Sequence, residues 1–259
     1  MRVSINTTAW YERLCASFAF FTRLPVGRFV PLPAQAWETV VEHWPLVGCF
    51  TGAAAGLTLW FCALVLPRPI AVLLAIGVRQ LITGAMHENG LGAFVEGLAG
   101  GWGDRARAVG IMSGRTIGLK GVSAIVVYEL LLIVGLLVMP VDVATIAVFA
   151  GDAYSKLLAS QTVQMLPLLV SSDDYRLKTG LRKYDTRAGI SLFLQGFLPL
   201  LLLLWLTGLR WDLIVFVPCL TMYFTYLLLL RRLQGYTIEA LSTMSLLCEL
   251  ALLLTVAMC

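Results

Sequence analysis

Residues 121–139 read GVSAIVVYELLLIVGLLVM, nineteen residues with a single charge, Glu129. A helix needs about 20 mostly apolar residues to cross the hydrocarbon core of a bilayer, so this stretch predicts a membrane span. Working outward, similar runs lie near 45–66, 70–86, 143–169, 188–207, 213–230 and 240–258. The run at 143–169 is interrupted by Asp152 and Lys156. Pro67 and Pro69 bracket a tight turn between the first two spans, and Pro140 separates the third from the fourth.

The composition agrees. Of 259 residues, 59% are hydrophobic and only 13% charged, and the mean hydropathy is +0.86. Soluble domains carry about a quarter charged residues, so a water-soluble globule is excluded, and intrinsic disorder more firmly still. The expected architecture is all-α: one polytopic helical bundle over residues 1–259 with about seven transmembrane helices. A net charge of +4 without a long basic run gives no support to nucleic-acid binding. The six cysteines show no CxxC or Cys/His spacing and read as free thiols.

Lys and Arg between the spans test the assignment. The segments carry four (Arg2, Arg13, Arg23, Arg28), then one (Arg68), four (Arg105, Arg107, Arg115, Lys120), none, five over 171–187, one (Arg210) and two (Arg231, Arg232). High and low alternate at every crossing, as the positive-inside rule requires, which puts the N-terminus in the cytoplasm and the C-terminus outside. The 1–44 segment is not expected to be a cleavable signal, because its apolar stretch Leu14–Phe21 is short and ends in Thr22-Arg23-Leu24-Pro25. That stretch is expected to dip into the membrane, and 25–42 to form either an amphipathic surface helix or a plain linker. His43, beside Trp44, reads as an interfacial residue.

Two cytoplasmic segments are richer in chemistry than a connector needs. Residues 84–121 hold eleven of the 23 glycines, with His87, Glu88, Asn89, Glu96 and Asp104. Glycine lets the backbone approach a ligand and turn N–H groups toward an anion. The 87–120 stretch is therefore expected to be a glycine-rich motif loop handling a phosphorylated substrate, a flexible loop with helix caps being the plainer alternative. The second segment, 231–239, has Arg231 and Arg232, which either hold phosphate or only set topology. Ionisable residues within spans default to functional candidates. Asp152 and Lys156 can pair at i,i+4, and Arg79, Glu129 and Glu249 serve equally as interhelical glue or as a substrate path.

These landmarks resemble a family. Phe20-Phe21-Thr22-Arg23-Leu24-Pro25 is similar to the FxTRLP opening of the cobalamin-5'-phosphate synthases, or adenosylcobinamide-GDP ribazoletransferases. Trp44-Pro45-Leu46-Val47-Gly48 resembles their next landmark, and Thr83 through Leu91 their TGxxHxDGL motif. Gly97 to Gly101, Arg105, Arg107, Ile111, Met112, Gly118 and Gly121 follow its continuation, and Gly151 to Lys156, Gln234 to Thr237 and Glu249 fall in order. The resemblance spans essentially the whole chain.

It implies a multi-pass protein of the cell inner membrane, with its motif loops cytoplasmic. The protein would join adenosylcobinamide-GDP to α-ribazole or its 5'-phosphate, using Mg²⁺, alone, as a homo-oligomer or with other cobalamin-assembly enzymes. The resemblance assigns His87, Glu88, Asn89, Glu96 and Glu239 to catalysis, with Asn89, Glu96 and Glu239 on the metal. It assigns Arg23, Arg105, Arg107, Arg115, Gly90, Gly97, Gly118, Lys156, Gln234 and Thr237 to substrate. Five motif aspartates are replaced here, at Asn89, Ala93, Glu96, Gly114 and Glu239. Three of those positions lose a charge, which is expected to weaken divalent binding. A catalytically silent protein of the same fold, binding a corrinoid or partner enzymes, is the alternative reading.

Overall fold

A computed structural model describes residues 8–114, 116–169 and 181–259. Eleven helices run through them: α1 Trp10–Phe21, α2 Ala34–Trp37, α3 Trp44–Ala63, α4 Arg68–Thr83, α5 Met86–Gly100, α6 Arg105–Met112, α7 Leu119–Val138, α8 Val141–Met165, α9 Thr186–Thr207, α10 Trp211–Arg232 and α11 Ile238–Met258.

Each predicted span is a helix: α3, α4, α7, α8, α9, α10 and α11. Proline sets two of the starts, since Pro67 precedes α4 and Pro140 precedes α8, positions where a missing N–H costs nothing. Five helices are long and apolar enough to cross a membrane alone, namely α3 with its preceding turn, α7, α9, α10 and α11. α4 and α5 meet the same length and hydropathy requirement only when taken together across their 84° bend, as a broken span or a re-entrant turn does. α8 has the length, at 25 residues, or about 37 Å, but is too polar to stand in lipid. It has no need to, because α3, α9, α10 and α11 surround it and bury sixteen of its residues, Asp152 and Lys156 included. The prediction of about seven spans thus resolves into five apolar crossings, one bent pair and a central polar helix.

Two expectations change. The stretch 87–120 is not an open loop, for most of it is α5 and α6, and α5 packs on α7 and α11. Its glycines allow close packing: a Cβ at Gly90 would meet Ser242 Cβ at 2.6 Å, and one at Gly97 would meet the Ala108 carbonyl at 2.8 Å. Residues 25–42 form neither one helix nor a plain linker but short turns around α2, with Val40 and Val41 buried. Arg115 and most of the 171–187 segment lie outside the described residues.

The closest seam joins α3 to α8. Gly48, Gly52 and Gly56 recur at i,i+4,i+8, and Cβ atoms there would meet the Asp152 carbonyl at 2.6 Å, the Phe149 Cα at 3.0 Å and the Thr145 carbonyl at 2.7 Å. Small residues at this spacing let two helix backbones touch, which drives association where lipid offers no hydrophobic gain.

Buried charges cross-link the helices. Arg79 of α4 pairs with Glu249 of α11 and reaches the Tyr128 hydroxyl of α7 at 3.4 Å. Asp152 pairs with Lys156, as the i,i+4 spacing predicts, and accepts a hydrogen bond from Thr51 of α3. Gln80 donates to Glu129 at 2.9 Å. These charges act as glue between helices; none of them lines the cavity described next.

Candidate active site

The bend between α4 and α5 builds the site. Gly84 and Ala85 both take left-handed backbone conformations, with φ of 69° and 54°. Such a conformation costs an alanine about 1–2 kcal/mol and turns α5 across the end of the bundle. The Arg23 side chain lies directly against Gly84, where any Cβ would collide with it. The Arg23 N–H donates to the Ile82 carbonyl at 2.7 Å, which ties the Thr22-Arg23-Leu24-Pro25 turn to the end of α4.

A cavity of about 530 Å³ opens here, walled by the end of α1, the bend, α5, the segment after α6 and the start of α11. Its polar lining includes Arg23, Asn89, Glu239 and Ser242. Ala93 and Gly114 line it as well. Positions 89, 93, 114 and 239 come from three separate segments, and all four are places where the resemblance expects aspartate. Asn89 and Ala93 share one face of α5 by their i,i+4 spacing.

The remaining predicted residues lie elsewhere. Glu96 is on the Asn89 face but about 10 Å further along α5, where its carboxylate accepts from the Gly121 N–H at 2.9 Å and caps α7. Gly118, the α7 N-cap, leaves room for that carboxylate, which a Cβ would meet at 2.6 Å. His87 is buried behind the wall, near the parallel Phe21–Trp44 pair, with ring centroids 6.3 and 6.0 Å away. Its Nδ1 lies 3.4 Å from Ser242 Oγ, and its Nε2 has no hydrogen-bond partner. Three motif segments therefore meet at one aromatic contact. Glu88 points into the bundle, buried with one carboxylate oxygen unpartnered. Lys156 is held in its ion pair.

Thr237 caps α11, its hydroxyl accepting from the Ala240 N–H at 3.2 Å, and so places Glu239 in the first turn at the cavity. Tyr236, just before it, is pinned between its N–H donating to the Pro167 carbonyl at 3.0 Å and its own carbonyl accepting from Leu169 at 2.8 Å. Burial raises the Tyr236 phenol above its ordinary range, so it stays neutral. Arg105 donates to Gln234 at 3.3 Å in a second pocket at the far end of α6, and Arg107 is exposed.

Among the described residues, no three His, Cys, Asp or Glu side chains cluster to cage a metal. Glu239 and the Asn89 amide are the oxygen donors that line the cavity from the predicted metal set. Such a pair suits a cation that keeps waters and takes further oxygens from substrate phosphates, as Mg²⁺ does, and does not suit a protein-only cage.

Residues 13–257 match the family described as cobalamin-5-phosphate synthase. The chain belongs to this family. It is 30% identical over 244 residues to the adenosylcobinamide-GDP ribazoletransferase of Shewanella frigidimarina, covering 90% of each chain. With that of Vibrio parahaemolyticus it shares 28% over 247 residues, 94% of this chain and 91% of the relative. With that of Leptothrix cholodnii it shares 37% over 120 residues, 43% and 45% of the two chains. No solved structure matches. Family membership accounts for the convergence of the synthase motif positions on one cavity.

The sequence reading missed Ser242. Ser242 lies four residues after Ile238 on the first turns of α11 and lines the cavity beside Glu239; its i,i+3 spacing from Glu239 was the available signal.

Proposed function

We propose that the chain is a ribazoletransferase of the inner membrane, with the cavity at the cytoplasmic end of its bundle. It would transfer the cobinamide phosphate of adenosylcobinamide-GDP to α-ribazole or its 5'-phosphate. The observation that carries this reading is the convergence of positions 89, 93, 114 and 239, with Arg23, on one cavity.

A ribose hydroxyl of α-ribazole attacks the phosphorus next to the aminopropanol arm. A new P–O bond forms, the P–O–P bond of the diphosphate breaks, GMP leaves with its electrons, and the hydroxyl proton passes to water. Little covalent help is required, so the protein's task is positioning and charge neutralisation. Arg23, held by its backbone against α4, presents a guanidinium suited to phosphate oxygens. Asn89 and Glu239 would hold Mg²⁺, whose contribution is to neutralise charge on the diphosphate. The cavity volume matches a ligand-sized pocket, so it takes the diphosphate and a ribose and leaves the corrin ring at its mouth.

The test is incubation of the purified protein in detergent with adenosylcobinamide-GDP, α-ribazole and Mg²⁺, reading cobalamin by mass. Product that disappears on chelation supports the proposal. Arg23→Ala should lower kcat/KM by about tenfold or more, the worth of a charge-assisted hydrogen bond. No product from a folded sample, beside an active relative, overturns it.

A further inference from the structure

A second pocket of about 260 Å³ lies at the other end of α6, about 10 Å along that helix from the first. Trp102, Arg105, Arg231, Arg232 and Leu228 line it. The Arg232 guanidinium lies 3.7 Å from the centroid of the Trp102 ring, and Trp102 is 73% exposed. No ion pair among the described residues engages Arg105, Arg231 or Arg232. Asp104 also lines the pocket and accepts the Arg107 N–H at 3.0 Å as the cap of α6, so it offsets one of the three arginine charges. The pocket keeps a net positive charge.

An apolar track leads into it. Phe216, Leu220, Phe224 and Leu228 recur every four residues on α10, all exposed, and the next position in the series is Arg232. From 216 to 228 the track rises about 18 Å, close to the ~15 Å depth of one leaflet. A ligand that fits both parts carries a phosphate at one end and a hydrocarbon chain at the other. Tryptophan and arginine at the end of a span belong at the headgroup level, and basic pockets between membrane helices select anionic headgroups.

We infer that the Trp102–Arg105–Arg231–Arg232 pocket and the α10 track below it bind one anionic phospholipid, its phosphodiester between the arginines and an acyl chain along Phe216 to Leu228. The shared recognition chemistry is a phosphate, so a soluble diphosphate is the competing source.

The protein in detergent is titrated with phosphatidylglycerol and with phosphatidylcholine, and bound lipid is read by native mass spectrometry. Phosphatidylglycerol should be retained preferentially, with the preference falling about fivefold for each arginine removed in Arg231→Gln and Arg232→Gln. Because these arginines also set topology, Trp102→Leu is the second variant; it keeps the charges, should elute as the parent does, and should still weaken retention. Equal retention of the two lipids, or a preference unchanged in whichever variants fold, overturns the inference. Displacement of phosphatidylglycerol by equimolar GDP or inorganic pyrophosphate reassigns the pocket to a soluble phosphate. Burial of the α10 track in a dimer, seen as a doubled mass without lipid, overturns it too.

Discussion

Replacing Asn89 by aspartate returns a carboxylate to the cavity wall without changing side-chain shape. A sphere of about 530 Å³ has a radius of about 5 Å, so a divalent ion bound anywhere in the cavity lies within about 5 Å of the wall, and nearer if ligated directly, which makes the attraction at 5 Å a lower bound. At that distance the attraction is about 1.7 kcal/mol with the dielectric of water and about 6.6 kcal/mol at an effective value of 20. The cavity is open, so the lower figure applies, and it corresponds to roughly 15-fold in affinity. The Mg²⁺ concentration for half-maximal ribazoletransferase rate should fall by about that factor or more in N89D. Without Mg²⁺ the new carboxylate adds a second negative charge to the cavity that Glu239 lines, so the metal-free variant should melt below the parent. Added Mg²⁺ should then raise its Tm more than it raises the parent's. An unchanged half-saturating Mg²⁺ concentration in a folded variant would refute the assignment of Asn89 and Glu239 as ligands.

Gly48→Ala pushes a methyl against the Asp152 carbonyl, 2.6 Å from the built Cβ; the overpacking should cost about 1–3 kcal/mol, read as a lower Tm in detergent, and an unchanged Tm would mean the α3–α8 seam can open. Glu249→Ala strands the buried Arg79 guanidinium and should cost about 3–5 kcal/mol, measured by the loss of folded protein on heating; a loss below about 1 kcal/mol would show that Arg79 finds another partner. Glu96→Gln keeps an oxygen for the Gly121 N–H and should match the parent in stability, whereas Glu96→Ala should lose about 1 kcal/mol, as for a lost helix cap. If Glu96 is a cap and not a metal ligand, the half-saturating Mg²⁺ concentration in Glu96→Gln stays at the parent value, and a marked rise would restore it to the ligand set.

The spans were legible because lipid demands long apolar runs, and every predicted run is a helix. The glycine-rich stretch was misread for a physical reason. Glycine disfavours helices in water, but Gly90 and Gly97 sit where α11 and α6 approach too closely for a Cβ, and there the packing gained outweighs the propensity lost. The Asp152–Lys156 pair could be read from spacing alone. The Arg79–Glu249 pair could not, since 170 residues separate the partners and each was visible only as an isolated charge in a span. Within the site, the motif order identified positions 89, 93, 114 and 239, but sequence order says nothing of depth along a helix. Glu96 shares a face with Asn89 yet lies two turns further on, which takes it out of the cavity and onto the start of α7.

The position of the buried ion pair bears on the cavity. Arg79 is one turn before Thr83, which lines the cavity at the end of α4, and Glu249 is on the helix that carries Glu239 and Ser242. The pair therefore ties α4 to α11 below two of the elements that wall the cavity. Buried ion pairs are poor sources of net stability, because desolvation consumes most of the Coulombic gain, and their attested value lies in fixing one arrangement over its neighbours. Phosphoryl transfer rewards that property, since a 1 Å displacement of a positioning group can cost about a hundredfold in rate. A hydrophobic replacement of both partners, Arg79→Met with Glu249→Leu, separates the two roles. It should leave Tm near the parent value while lowering kcat, because the bundle stays packed but its register at the cavity is no longer fixed. If kcat also stays at the parent value, the ion pair contributes to neither and the register is set by the glycine seams alone.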